Sequence, residues 1–129
     1  MAKVSQFEDL FAWQQARVLM QEIYRITKSP LFERDYRLAG QIQAAAVSVM
    51  ANIAEGFDRG RRAEFHQFLS IAKGSCGEVR SHLYVASDVG YINKEEFERL
   101  KIFSIRVSGL INLLRQSIEG WDNSKSKNA

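Results

Sequence analysis

Apolar residues recur at steps of three and four along almost the whole chain, the period of helices that bury one face. The first such stripe is Trp13, Ala16, Met20 and Ile23, with Ala12, Leu19 and Ile26 alongside. Ser5 precedes it as an N-cap, and Glu8 three residues later completes a capping box. The segment TKSPLFERD (27–35) reads as a connection, with Asp35 capping a second helix. That helix carries Leu38, Ile42, Ala45, Val49 and Ile53 and stops around Gly56. A third helix spans 61–89 through Phe65, Phe68, Ala72, Cys76, Val79, Leu83 and Ala86, and VGYI (89–92) breaks it. Asn93 caps the fourth, Glu96 completes its box, and Ile92 is placed to staple to Phe97. The fourth stripe is Phe97, Leu100, Ser104, Val107, Ile111, Leu114, Ile118 and Trp121.

Four amphipathic helices with short connections and one proline, Pro30, predict an all-α fold, an up-down-up-down antiparallel four-helix bundle. Residues 1–121 form one domain in this reading, and the polar tail DNSKSKNA (122–129) is expected to be disordered. The expected core includes Ile42, Val49, Ile53, Leu69, Leu83, Val107, Ile111 and Leu114. Gly74 and Gly77 inside the third helix each cost roughly 1 kcal/mol relative to Ala. An antiparallel hairpin would set 44–48 opposite 71–77, so the two glycines read as close packing between helices.

The length, 129 residues, suits a single domain, and 46% hydrophobic against 26% charged residues fits a globular protein rather than a disordered one. No apolar run reaches the ~18 residues of a membrane span. The opening MAKVSQFEDL lacks a signal-peptide pattern, and a single cysteine forms no internal disulfide, so the expected location is cytoplasmic. A net charge of +3 falls short of a protein that coats nucleic acid, which leaves local clustering to carry any electrostatic case.

Candidate chemistry is sparse. Metal sites in bundles use carboxylates and Glu-x-x-His pairs. Here Glu55, Glu64, His66, Glu78 and His82 are the candidates; no Glu-x-x-His occurs, and Glu78 lies turns away from Glu55. No metal and no cofactor are expected. Cys76 falls on a core stripe and reads as a small buried hydrophobe. EGFDRGRR (55–62) holds Gly56 and Gly60 but follows no strand, so it fits a nucleotide loop poorly. A non-enzyme is the expectation.

The corner NIAEGFDRGRR (52–62) is the unusual stretch. Glu55 near a helix end and Arg61 and Arg62 near a helix start all oppose the macrodipole. Arg59, Arg61 and Arg62 are candidate phosphate contacts, although Asp58 and Glu64 are close enough to neutralise them. Lys3, Arg115, Lys125 and Lys127 should share that end, offset by Glu8, Asp9, Glu119 and Asp122. Ser48, Asn52 and Glu55 share a helix face and read as a polar seam between helices, or else as a pocket for a partner's polar group. Ile102, Ile105 and Leu113 point away from the fourth helix's core stripe, and Phe11 and Val18 leave that of the first. Neighbouring first and fourth helices would merge these into one apolar surface, the expected contact of a homo-oligomer.

YRLAGQIQAAAVSVMANIAEGF (36–57) and EFHQFLSIAKGSCGEVRSHLYVASDVGYI (64–92) closely resemble the four-helix bundle proteins encoded in 23S rRNA intervening sequences, and FEDLFAWQQA (7–16) is similar to their opening motif. The resemblance implies assembly as a ring, usually a pentamer. It also implies distant kinship with the accessory variability determinant protein of diversity-generating retroelements, a basic pentamer that engages reverse transcriptase and nucleic acid. The family's biochemical function is not established. Arg61 stands where relatives commonly open the third helix with Ser, leaving Asp58 or Gly60 to cap. Gln43 and Ala44 replace frequent arginines, which weakens a nucleic-acid face on the second helix. Two functions therefore follow as expectations. One is an oligomeric binding module associated with RNA or nucleoprotein through Arg59, Arg61 and Arg62. The other is a protein-interaction scaffold that touches no nucleic acid.

Overall fold

The computed structural model describes residues 4–120. Trp121, the 122–129 tail and Lys3 lie outside the described residues. The fold is all-α: four long helices and a short one, with no strand among the described residues. The helices are α1 (Phe11–Thr27), α2 (Pro30–Arg34), α3 (Tyr36–Asp58), α4 (Arg62–Asp88) and α5 (Lys94–Ile118), preceded by a 3-10 turn over Phe7–Asp9. No helix is long and apolar enough to cross a membrane.

The start differs from the Ser5–Glu8 box the sequence suggests. Gln6 caps the 3-10 turn and Asp9 closes the box, its carboxylate accepting from the Ser5 and Gln6 backbone N–H groups. Those bonds hold the Asp9 carboxyl below its ordinary pKa, the Ser5 backbone bond foremost. Leu10 is then extended and buried, and α1 begins only at Phe11. Pro30 opens α2 at a first-turn position, where its missing N–H costs nothing. Asp35 and Asn93 cap α3 and α5 as their side chains suggest, accepting from Leu38 N and Glu96 N. Asp35 also accepts from the Tyr91 hydroxyl at 3.0 Å, which ties the α4–α5 loop to the start of α3.

α3 packs along α4, α4 along α5, and α1 against both α3 and α5. The α3–α4 pair runs antiparallel: Gly56 meets Phe65 and Phe68, and farther along Ser48 meets Ser75. The α4–α5 pair does the same, from His66 beside Glu119 to Tyr84 against Phe97. One core runs through all the helices, with Leu19, Ile23, Ile42, Val49, Ile53, Leu69, Leu83, Val107 and Ile111 buried. Leu114 is only partly buried, and so are Trp13, Met20 and Phe68 from the expected stripes. In α1 the buried line is Ala12, Ala16, Leu19, Ile23 and Ile26, a small rotation from the stripe read off the sequence.

The glycines sort differently from expectation. A Cβ on Gly74 or Gly77 would meet nothing within 4 Å, so neither permits a close approach inside the chain. Gly56 does: a Cβ there would stand 2.6 Å from Phe68 Cβ. Both ends of this contact are backbone-anchored, so the site requires glycine.

Candidate functional site

The arginine corner closes on itself. Gly60 takes a positive φ of 76° to turn the chain between α3 and α4. Arg59, just past the end of α3, places its guanidinium 2.8 Å from Glu55 and 3.3 Å from Glu64 at the start of α4. It also lies over the Phe68 ring at 5.1 Å, a cation–π contact. Glu55 is the largest influence raising the Arg59 pKa. Arg61 is 3.9 Å from Glu64 and is itself the N-cap of α4, where its side chain makes no capping bond. Arg62 is exposed at the first position of α4. Arg59, Arg61 and Arg62 thus stand among Glu55, Asp58 and Glu64, an equal number of carboxylates. The acid at the end of α3 that opposes its dipole is held there by Arg59.

Ser48 and Asn52 form a seam, and Glu55 does not join it. The Ser48 hydroxyl lies 2.9 Å from that of Ser75 across the α3–α4 contact, and Asn52 donates to Ser48 O and Oγ. Glu55 is exposed and turned to Arg59. The two hydroxyls and the Asn52 amide N–H groups thus find partners within the chain.

Burial pushes the Cys76 thiol up to about 12, with Arg80 opposing weakly, so it carries no thiolate at neutral pH. Glu78 and His82 meet at 3.6 Å, and among the described residues no group of three His, Cys, Asp or Glu gathers to hold an ion.

The apolar residues predicted to leave the core do leave it. Phe11 is 58% exposed, Ile102 51% and Leu113 63%, and Val18 and Ile105 are also exposed. Ile102 and Phe103 of α5 line a groove with Gln15 of α1, so the two helices share one surface along this edge. Ile105 belongs to a different flank. It is one turn from Lys101 and two from Asn112, which reach toward α4 through Tyr84 and Lys73. The edge therefore consists of Phe11, Val18, Ile102 and Leu113, and Ile105 lies beyond it.

The apolar stripes do not show the charges that cross this edge. Glu22 and Arg25 on α1 interlock with Glu96 and Arg99 on α5, Arg25 reaching Glu96 at 2.9 Å and Arg99 bonding Glu22. The matching spacing, Glu-x-x-Arg in both helices, is the signal that marks it. Bonds from Arg25 and then Arg99 lower the Glu22 pKa. Burial works to raise that of Glu96, but its bonds to Arg99 and Arg25 outweigh it. The four charges pair α1 with α5 across the edge.

No curated protein matches the chain. Its fold is similar to the crystal structure of a protein of unknown function from the S23 ribosomal protein family of Bacteroides thetaiotaomicron. The TM-score is 0.74 at 21% identity, over 81% of this chain and 98% of that one. The model of one family, described as 23S rRNA-intervening sequence protein, matches residues 8–113. That match takes in the corner, the seam and the α1–α5 edge, and the chain belongs to the 23S rRNA-intervening sequence protein family.

Proposed function

We infer that the protein is a non-catalytic binding module that works as a homo-oligomer, its helices arranged as an up-down-up-down antiparallel bundle. The observation that carries this reading is the α1–α5 edge, where Phe11, Val18, Ile102 and Leu113 are all exposed. Contiguous apolar surface of this kind on a water-facing edge marks an interface. The resemblance noted above implies a ring of five subunits, so the expected assembly is a pentamer. Such an assembly presents repeated copies of one polar surface to a protein partner, which makes it a scaffold.

The scaffold reading is favoured over an RNA-binding one by the corner. Arg59 is already shared by two carboxylates, and Arg61 lies beside one of them. A phosphate would have to displace those acids from Arg59 rather than meet a ready cation. Titration of the purified protein with single-stranded RNA at ~50 mM salt, where phosphate contacts are strongest, tests the choice. The scaffold reading expects no salt-sensitive binding. Binding that weakens steeply with salt and is lost on replacing Arg59, Arg61 and Arg62 with Gln would establish the nucleic-acid reading instead.

A further inference from the structure

The groove between α4 and α5 carries positive charge that the chain does not balance. From Ile102 to Ile118, α5 contains no carboxylate, and from Phe65 to Ser87 α4 contains only Glu78. Glu78 lies on the flank of α4 that Ser75 turns to α3, with His82 beside it. On the opposite flank Lys73 reaches across to α5, its Nζ 3.5 Å from Asn112 Oδ1. Arg115 donates to that same oxygen from 3.3 Å, and its Nε is buried with no acceptor among the described residues. Two full charges thus converge on one neutral oxygen. Arg80, two turns beyond Lys73, shares its flank and pairs with no carboxylate among the described residues. Lys101 with Glu98 closes one end of the groove, and His66 beside Glu119 the other. Between these ends Gly77 has open space where a Cβ would be, and Ile105, 48% exposed, lines the α5 side.

We propose that this groove receives an acidic amphipathic helix from a protein partner, its carboxylates meeting Lys73, Arg80 and Arg115 and its apolar face covering Ile105. This rests on the scaffold reading and adds the partner's chemistry and the surface it meets. Charge complementarity selects the acids. A carboxylate set between Lys73 and Arg115 offsets both charges, which the neutral Asn112 oxygen does not. Helix geometry fits the spacing as well. Lys73 and Arg80 stand about 10 Å apart along α4, as do carboxylates two turns apart on a helix laid beside it. Two features favour carboxylates over the phosphates of RNA. Ile105 offers an aliphatic contact between the cations. Tyr84, the aromatic ring of the groove, is engaged by Phe97 at 4.8 Å and by Lys101, so it is no free platform for bases.

Fluorescence anisotropy on the full-length protein at ~50 mM salt tests it with three labelled probes. The first is a synthetic helix of about 18 residues, with leucines along one face and glutamates beside them. The second replaces its glutamates with glutamine, and the third is single-stranded RNA of the same charge. The glutamate peptide should bind and weaken with salt, and the glutamine peptide should not bind measurably. Lys73→Gln with Arg80→Gln should weaken the glutamate peptide roughly five- to tenfold. Arg34→Gln with Arg37→Gln removes equal charge where α2 meets α3 and should leave the affinity unchanged. Ile105→Ser should lower affinity without changing the salt slope, and circular dichroism verifies that each variant is helical. If the Arg80 change unfolds the chain, Lys73→Gln with Arg115→Gln takes its place. Equal losses in the two charge variants, or RNA bound more tightly than peptide through Lys73 and Arg80, would overturn the inference. So would a parent that ignores the glutamate peptide, while the oligomer reading, judged by light scattering, would stand. Every residue of the groove comes from one chain, so a monomeric parent that binds the peptide there removes the oligomer and keeps the inference.

Discussion

Gly56 of α3 lies so close to Phe68 of α4 that a Cβ on the glycine would stand 2.6 Å from the Phe68 Cβ. The contact sits beside the turn at Gly60 and sets how tightly the two helices converge before Arg59 bridges them. Helix propensity alone would make Gly56→Ala stabilising by about 1 kcal/mol. Overpacking, at about 1–3 kcal/mol, outweighs it, so urea unfolding should show a net loss. Gly74→Ala, with open space around it within the chain, should gain a few tenths to about 1 kcal/mol. Equal effects at the two glycines would contradict the packing described.

The pattern of the sequence reveals the four long helices, though not the short α2 within the connection, far better than it reveals which glycine is crowded. Periodicity defines a stripe to within about a residue, which is why it places Trp13 and Met20 inside although they stand half-buried. It cannot say that Gly56 faces Phe68 while Gly74 faces outward, since that depends on helix rotation. Nor does it show that Asp9 takes the Ser5 and Gln6 N–H groups, which stops the first turn and delays α1 to Phe11. The exposed residues of the α1–α5 edge were legible because they break the core stripe. The Arg59 bridge was legible only as a charge balance; its reach to both Glu55 and Glu64 needs the turn at Gly60.

Core truncations should divide by burial. Ile111 is fully buried and Leu114 is not. Ile111→Ala should cost roughly 2–5 kcal/mol in chemical denaturation. Leu114→Ala should cost clearly less. Reversed magnitudes would mean that α5 is rotated from the orientation described.

The α1–α5 clamp predicts a stability that depends on acid. Glu22 and Glu96 have folded-state pKa values below the ordinary 4.5. Their contribution is therefore present above that value and is lost as pH falls through the lower folded-state values. Melting temperatures measured from pH 6 down to pH 3 should fall less steeply for Glu22→Gln with Glu96→Gln than for the parent. Parallel curves would show that the four charges add nothing to the docking of α1. Each pair is partly exposed, so the effect at neutral pH is modest, roughly 0.2–1 kcal/mol per pair.

Replacing Arg59, Arg61 and Arg62 with Gln removes the bridge and leaves Glu55 and Glu64 without it. The variant should stay folded with at most a small loss of stability, because these ion pairs are exposed and screened by solvent. Retained helicity and a slightly lower melting temperature are the expected result. Loss of the fold would make the bridge essential to the α3–α4 turn rather than an accessory to it.

The central claim is that the exposed α1–α5 edge is a subunit contact. Multi-angle light scattering of the parent beside Ile102→Glu with Leu113→Glu, both at tens of micromolar, addresses it most directly. The parent should elute at several times the chain mass of 14.7 kDa and the double variant at that mass, with helical spectra unchanged. A parent already at the mass of one chain, or a double variant that assembles as the parent does, would contradict it.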